Sequence, residues 1–131
     1  RWMVHRPDLS FLRKQAVIIN TAASGGMRST VRDIKDSTKN LGIARTHCLS
    51  QSVWNYAWND LPESFQKSIH RKVQRTAQKV RHHAKHLTPS FKVRCLFTLY
   101  RFLHKHQKMT PVDDIYWQKQ GYNTGTPWKT Q

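Results

Sequence analysis

The residues best placed to do chemistry are Ala22, Ala23, Ser24, Gly25 and Gly26. Their side chains are small or absent, and a helical pattern begins directly after them, so the main chain lies bare. A ligand can then reach backbone N–H groups at a helix N-terminus, where partial positive charge favours electron-rich atoms. Ordinary turn chemistry produces the same composition, so the residues alone allow either a ligand loop or a plain turn.

Other reactive groups are less well arranged. His82 and His86 have the i, i+4 spacing of zinc-binding helices, with His83 beside them and His70 upstream. No Glu follows His82, however, and neighbouring Lys and Arg side chains repel a cation, so surface histidines are expected. Asp113 and Asp114 are adjacent and diverge on most backbones, which disfavours a paired-carboxylate acid/base site. Ser24 lacks a Gly-x-Ser-x-Gly setting. No catalytic residue and no metal ligand is therefore assigned. Cys48 and Cys95 stand far apart, as expected of two reduced thiols in a cytoplasmic protein.

The bare loop needs a strand before it and a helix after it. Ala16, Val17, Ile18 and Ile19 form an apolar, β-branched run that predicts a strand over 16–20 buried on both faces of a parallel sheet. Met27, Val31, Ile34, Thr38 and Leu41 recur at helical spacing, predicting a helix from Arg28 to Leu41 capped by Ser29 or Thr30 and closed by a left-handed Gly42. A more polar second strand is expected within Ile43 to Val53. Strand, helix and strand in this order predict a crossover between parallel strands. Trp54, Tyr56 and Trp58 are expected to cover part of the sheet or a pocket.

The remaining chain reads as helical. Asp60 and Glu63 form a capping-box pattern before a helix whose apolar face carries Phe65, Ile69, Val73, Ala77, Val80, Ala84 and Leu87. Thr88-Pro89-Ser90 restarts the chain as a helix from about Phe91 to His106, with Phe91, Cys95, Leu96, Leu99, Phe102 and Leu103 as its apolar surface. That surface is broad enough to dock on a partner subunit or a bilayer. A short helix and coil are expected after Pro111. Residues 1–14 read as an irregular lead-in. No segment reaches the roughly 18 to 20 apolar residues of a membrane span. Arg1 is not an initiator Met, which points to an excised or incomplete chain.

The net charge is +16 over 131 residues. It is concentrated from Ser64 to Thr110, a window without Asp or Glu that includes Lys67, Arg71, Lys72, Arg75, Lys79, Arg81, Lys85, Lys92, Arg94, Arg101, Lys105 and Lys108. Such a face binds phosphates or is simply solvated. No zinc-finger, RNA-recognition or basic-zipper signature accompanies it, so specific nucleic-acid binding is not expected.

Several of these stretches resemble one family. They are His5-Arg6-Pro7, Ala16 to Gly26 (AVIINTAASGG), Leu41-Gly42-Ile43 and Asp114 to Tyr122 (DIYWQKQGY). Together they resemble the C-terminal half of flavodoxin-like NAD(P)H-dependent FMN oxidoreductases. The resemblance implies an α/β fold, with residues 16–20 and 43–53 as strands 4 and 5 of a five-stranded parallel sheet ordered 2-1-3-4-5. It implies that residues 1–87 belong to the flavin-binding domain and that 88–131 form a helical extension and tail. Thr21, Ala22, Ala23, Ser24, Gly25 and Gly26 inherit a flavin-contacting role by position. Hydride would pass from NAD(P)H through FMN to an acceptor such as a quinone.

The departures from the family pattern are equally specific. The family's phosphate-binding loop after its first strand, and the loop after its third, are absent from this sequence, and no other glycine-rich cradle replaces them. The chain is therefore expected to be a fragment, inactive alone, that neither holds FMN tightly nor turns over NAD(P)H. A homodimer is a further expectation, and an anionic membrane surface another. The alternative function is a non-catalytic basic module that binds nucleic acid or anionic membrane through residues 64–108.

Overall fold

Two parallel strands joined through a helix form the only sheet among the described residues, which in this computed structural model are 2–23, 25–54, 57–125 and 127–128. A 3-10 turn (Leu9–Arg13) leads into β1 (Gln15–Ala22), followed by α1 (Met27–Leu41) and β2 (Arg45–Ser52). A second 3-10 turn (Trp58–Asp60) then precedes α2 (Glu63–Lys85), α3 (Phe91–Lys105) and α4 (Pro111–Lys119). Gln15 lies opposite Arg45 and Ala22 opposite Ser52, so both strands end at the same level. The α/β class and the parallel pairing agree with the sequence.

Local chemistry explains where α1 stops. Gly42 adopts φ 87°, a left-handed conformation that needs no Cβ, and its N–H donates to the Lys39 carbonyl at 3.0 Å. The Ile43 N–H donates to the Thr38 carbonyl at 3.0 Å, completing a Schellman motif. At the other end, the N-cap is Gly26 and neither Ser29 nor Thr30 takes that place. Both hydroxyls instead donate back to the Gly26 carbonyl, at 2.7 and 3.2 Å.

The helices cover the sheet unequally. On one face the Asn20 amide donates to the Met27 carbonyl, and the Thr46 hydroxyl donates to that of Thr38 on α1. On the other, Lys72 Nζ donates to Gln51 at 2.6 Å, and the His47 and His83 rings lie 5.3 Å apart, which seats α2 over β2. β1 is consequently not buried on both faces. Ile18 is buried, but Val17 is 46% and Ile19 71% exposed, because successive side chains alternate and α2 leaves that half of the face open.

Two further expectations are corrected. The Asp60–Glu63 capping box does not form, because Asp60 belongs to the preceding 3-10 turn and α2 starts after Pro62 without a side-chain cap. The Gln66 amide caps the turn instead, donating to the carbonyls of Trp58 and Leu61, each at 3.0 Å. On α3 the buried face is Val93, Phe97 and His104, roughly opposite the expected stripe. Phe91 is 72% exposed, and Cys95, Leu99 and Phe102 are exposed with it.

The core explains that rotation. Met3 and Leu12 from the lead-in pack with Val93 and Phe97 of α3 and Trp117 of α4, ringed by Leu9, Leu96, Tyr100, Tyr116, Tyr122 and Trp128. The lead-in is thus part of the core, and residues from both 1–87 and 88–131 build it. Trp54 meets Phe65 at a tilt with centroids 4.8 Å apart and Trp58 meets His70 edge-on at 5.5 Å, so both pack on α2. Tyr56 lies outside the described residues. Cys48 and Cys95 are free thiols, and among the described residues no helix is long and apolar enough to cross a membrane.

Candidate functional site

The sequence-predicted loop sits at the carboxyl end of β1, beside the carboxyl end of β2. Strand pairing places it there, because the register runs to Ala22 opposite Ser52 and both chains then leave the sheet together. The Val53 N–H donates to the Ala22 carbonyl at 2.9 Å, and the Ser52 hydroxyl to the Ala23 carbonyl at 3.4 Å. Carbonyls are thus tied down toward β2. Thr21, Ala23, Gly25 and Gly26 are exposed and Ala22 is half-buried, while Ser24 lies outside the described residues.

The loop is open. A Cβ added at Gly25 or Gly26 would meet nothing within 4 Å, so a planar group can approach the main chain on that side without displacing a side chain. Gly26 holds φ 83° as N-cap of α1, and no side chain caps this helix start. The first N–H groups of α1 have no partner within the helix by geometry, and they carry the positive end of its dipole. This arrangement leaves open space at Gly25 and Gly26 beside the backbone donors of the helix start. Among the described residues of the loop there is no acidic or basic side chain.

A polar cluster that the sequence did not reveal lies in the core. His104 Nδ1 donates to Asp114 Oδ1 at 2.6 Å and its Nε2 to the Val4 carbonyl at 2.6 Å, while its ring stacks on Trp117 with centroids 4.5 Å apart. Trp117 Nε1 donates to the His5 carbonyl at 2.9 Å. Asp113 accepts from the Thr110 hydroxyl at 2.6 Å and from His5 Nδ1 at 2.8 Å, with Arg6 3.6 Å away. The Thr110 hydroxyl bond, then His5 and Arg6, hold the Asp113 carboxyl below its usual range against the opposing effect of burial. The two aspartates diverge, as their adjacency predicts. The available signal was spacing: His104 follows Phe97 by seven residues and so shares its helix face.

Several other histidines make ring contacts. His47 Nε2 donates to Gln15 Oε1 at 2.8 Å, and burial, followed by the nearby His83, Lys79 and Arg45, pushes its ring below the usual histidine range. His82 and His83 lie edge to face at 5.4 Å. No group of three or more His, Cys, Asp or Glu side chains among the described residues could hold a metal.

With this geometry in place, the chain was compared with protein-family models, curated proteins and solved structures. None matches.

Proposed function

We propose that this chain forms one wall of a flavin site, the C-terminal part of a flavodoxin-like, NAD(P)H-dependent FMN oxidoreductase. One observation carries the reading: the parallel β1–α1–β2 unit delivers small residues, Ala22, Ala23, Gly25 and Gly26, to the carboxyl ends of both strands, where open parallel sheets bind ligands. Backbone N–H groups of the loop and the start of α1 would hydrogen-bond the ring, while the flavin supplies the hydride chemistry when bound. The chain's own part is to position the ring. The half-open face of β1, with Val17 and Ile19 exposed, is consistent with a neighbouring strand and helix in the intact sheet.

The test uses lumiflavin, which is the ring without a phosphate, titrated into the isotope-labelled chain by amide NMR. Weak binding is expected, with shifts at Ala22, Ala23, Gly25, Gly26 and Met27 and similar affinity for FMN. No shift at these amides at millimolar ligand would overturn the flavin wall. Tight stoichiometric FMN binding would overturn the claim that the phosphate-holding wall lies elsewhere.

A second reading rests on α3. Its outer stripe of Phe91, Cys95, Leu99 and Phe102 is exposed and flanked by Lys92, Arg94 and Lys105, the pattern of a helix lying on an anionic bilayer. Salt-sensitive vesicle binding lost on Phe91→Ser with Phe102→Ser would favour it. Vesicle binding unchanged by that pair would remove it.

A further inference from the structure

A groove of about 730 Å³ runs between α1, β2 and the first turn of α3. Its rim is cationic. Arg28, Arg32, Lys35 and Lys39 fall at spacings of four, three and four along α1, so they form one stripe about 16 Å long at 1.5 Å rise per residue. Arg45 of β2 and Lys92 of α3 face them from the other side of the groove. Six cations from three elements therefore line one cavity, with Asp36 as its only lining acid among the described residues.

That acid does not neutralise the groove. Asp36 Oδ1 is 2.7 Å from Lys39 Nζ, and its carboxyl is held below the usual range by Lys39 first and also by Arg32 and Lys92. The field of two helices thus reaches one exposed carboxylate. Arg45 is oriented by its Nε, which donates to the Thr88 carbonyl at 2.9 Å. Arg28, Lys35 and Lys92 form no ion pair with any described acid, whereas Arg32 lies 3.9 Å from Asp33. Like charges crowded in this way repel each other, and a multivalent anion relieves that repulsion.

The floor has a different character. Met27, Val31 and Ile43 supply apolar surface between the charged rims, with the buried Val93 behind them. The volume lies within the range of roughly 300 to 1,000 Å³ typical of small-molecule sites. A rim of cations around an apolar floor matches a ligand with a phosphate chain at one end and a flat apolar base at the other. We infer that this groove is a binding site for a nucleotide, its phosphates on Arg28, Arg32, Lys35 and Lys92 and its base on the apolar floor. The inference does not rest on the flavin wall, which would use backbone N–H groups up to the start of α1, whereas the groove would use the side chains of Arg28, Arg32, Lys35 and Lys92.

The experiment is calorimetric titration of the whole chain at about 0.15 M salt, where long-range attraction is screened. The probes are ATP, inorganic tripolyphosphate and a single-stranded oligonucleotide. ATP should bind one to one and more tightly than tripolyphosphate, because only ATP uses the floor. Arg28→Gln with Lys35→Gln should weaken both by about tenfold or more. Arg71→Gln with Lys79→Gln on α2 removes the same charge and should change either by less than about twofold, reflecting the net field alone. All four side chains are exposed, so the variants keep the fold. Equal losses in the two variants would overturn the site, as would ATP binding no better than tripolyphosphate. Oligonucleotide binding that exceeds ATP and depends on Arg28 and Lys35 would overturn it in favour of a nucleic-acid surface.

Discussion

His104 and Asp114, on consecutive helices, meet in the core at 2.6 Å, with the imidazole fully enclosed against Trp117. Both ring nitrogens face acceptors, since Nε2 also donates to the Val4 carbonyl. One side chain ties α3, α4 and the lead-in together. His104→Ala strands a buried carboxylate and should destabilise the chain by about 3 kcal/mol in urea unfolding. Asp114→Ala should cost a similar amount. The double variant should lose less than both together, giving a coupling of about 1–3 kcal/mol. Additive losses would show that the pair does not act as a unit.

Asp113 makes stability acid-sensitive. Its folded carboxyl titrates below the unfolded value of 3.8, so its contribution is complete above that pH and is lost as pH falls through the lower folded value. Thr110→Ala removes the largest stabiliser of the ionised form. It should cost about 1 kcal/mol at neutral pH and shrink the stability loss below pH 3.8, read from urea midpoints across acid pH.

His47 acts in a higher window. Its folded ring titrates below the unfolded value of 6.5, so the unfolded chain takes up the proton first as pH falls. Stability should therefore drop from pH 6.5 down through the folded value and then level off. His47→Asn should flatten that segment of the urea-midpoint profile relative to the parent chain. An unchanged profile would mean that His47 is not its source.

Gly42 is required for its conformation, not for space. A Cβ there would meet Leu12 and Met3 no closer than 3.8 Å, an ordinary contact, but φ is 87°. Gly42→Ala should destabilise by about 1–2 kcal/mol in thermal or urea unfolding, and Gly42→Asn by less.

Val17 and Ile19 contribute little to the stability of this chain because they remain largely exposed. Val17→Thr with Ile19→Thr should shift stability by less than about 0.5 kcal/mol per site while reducing self-association through the open face of β1, measured by light scattering. A large loss of stability would show that this face is covered in solution.

Local rules were legible in the residues. The apolar run at 16–19, the small residues at 21–26 and the Gly42 stop are decided by neighbours in sequence, and so were the β1–α1–β2 order and the bare loop. The Asp60–Glu63 pattern was equally local, yet the 3-10 turn at Trp58–Asp60 claimed Asp60 for another hydrogen-bonding frame. Tertiary structure decided which surfaces are buried. Apolar composition suits both faces of α3, and only docking of Met3, Leu12 and Trp117 selected Val93, Phe97 and His104. The same holds for β1, where an apolar run reports the capacity to be covered but not the presence of a cover. The cationic stripe of α1 is readable in its spacing, but its convergence with Arg45 and Lys92 exists only because the parallel crossover brings distant segments to one groove. Period and propensity act over a few residues, whereas burial and charge convergence depend on contacts between segments tens of residues apart.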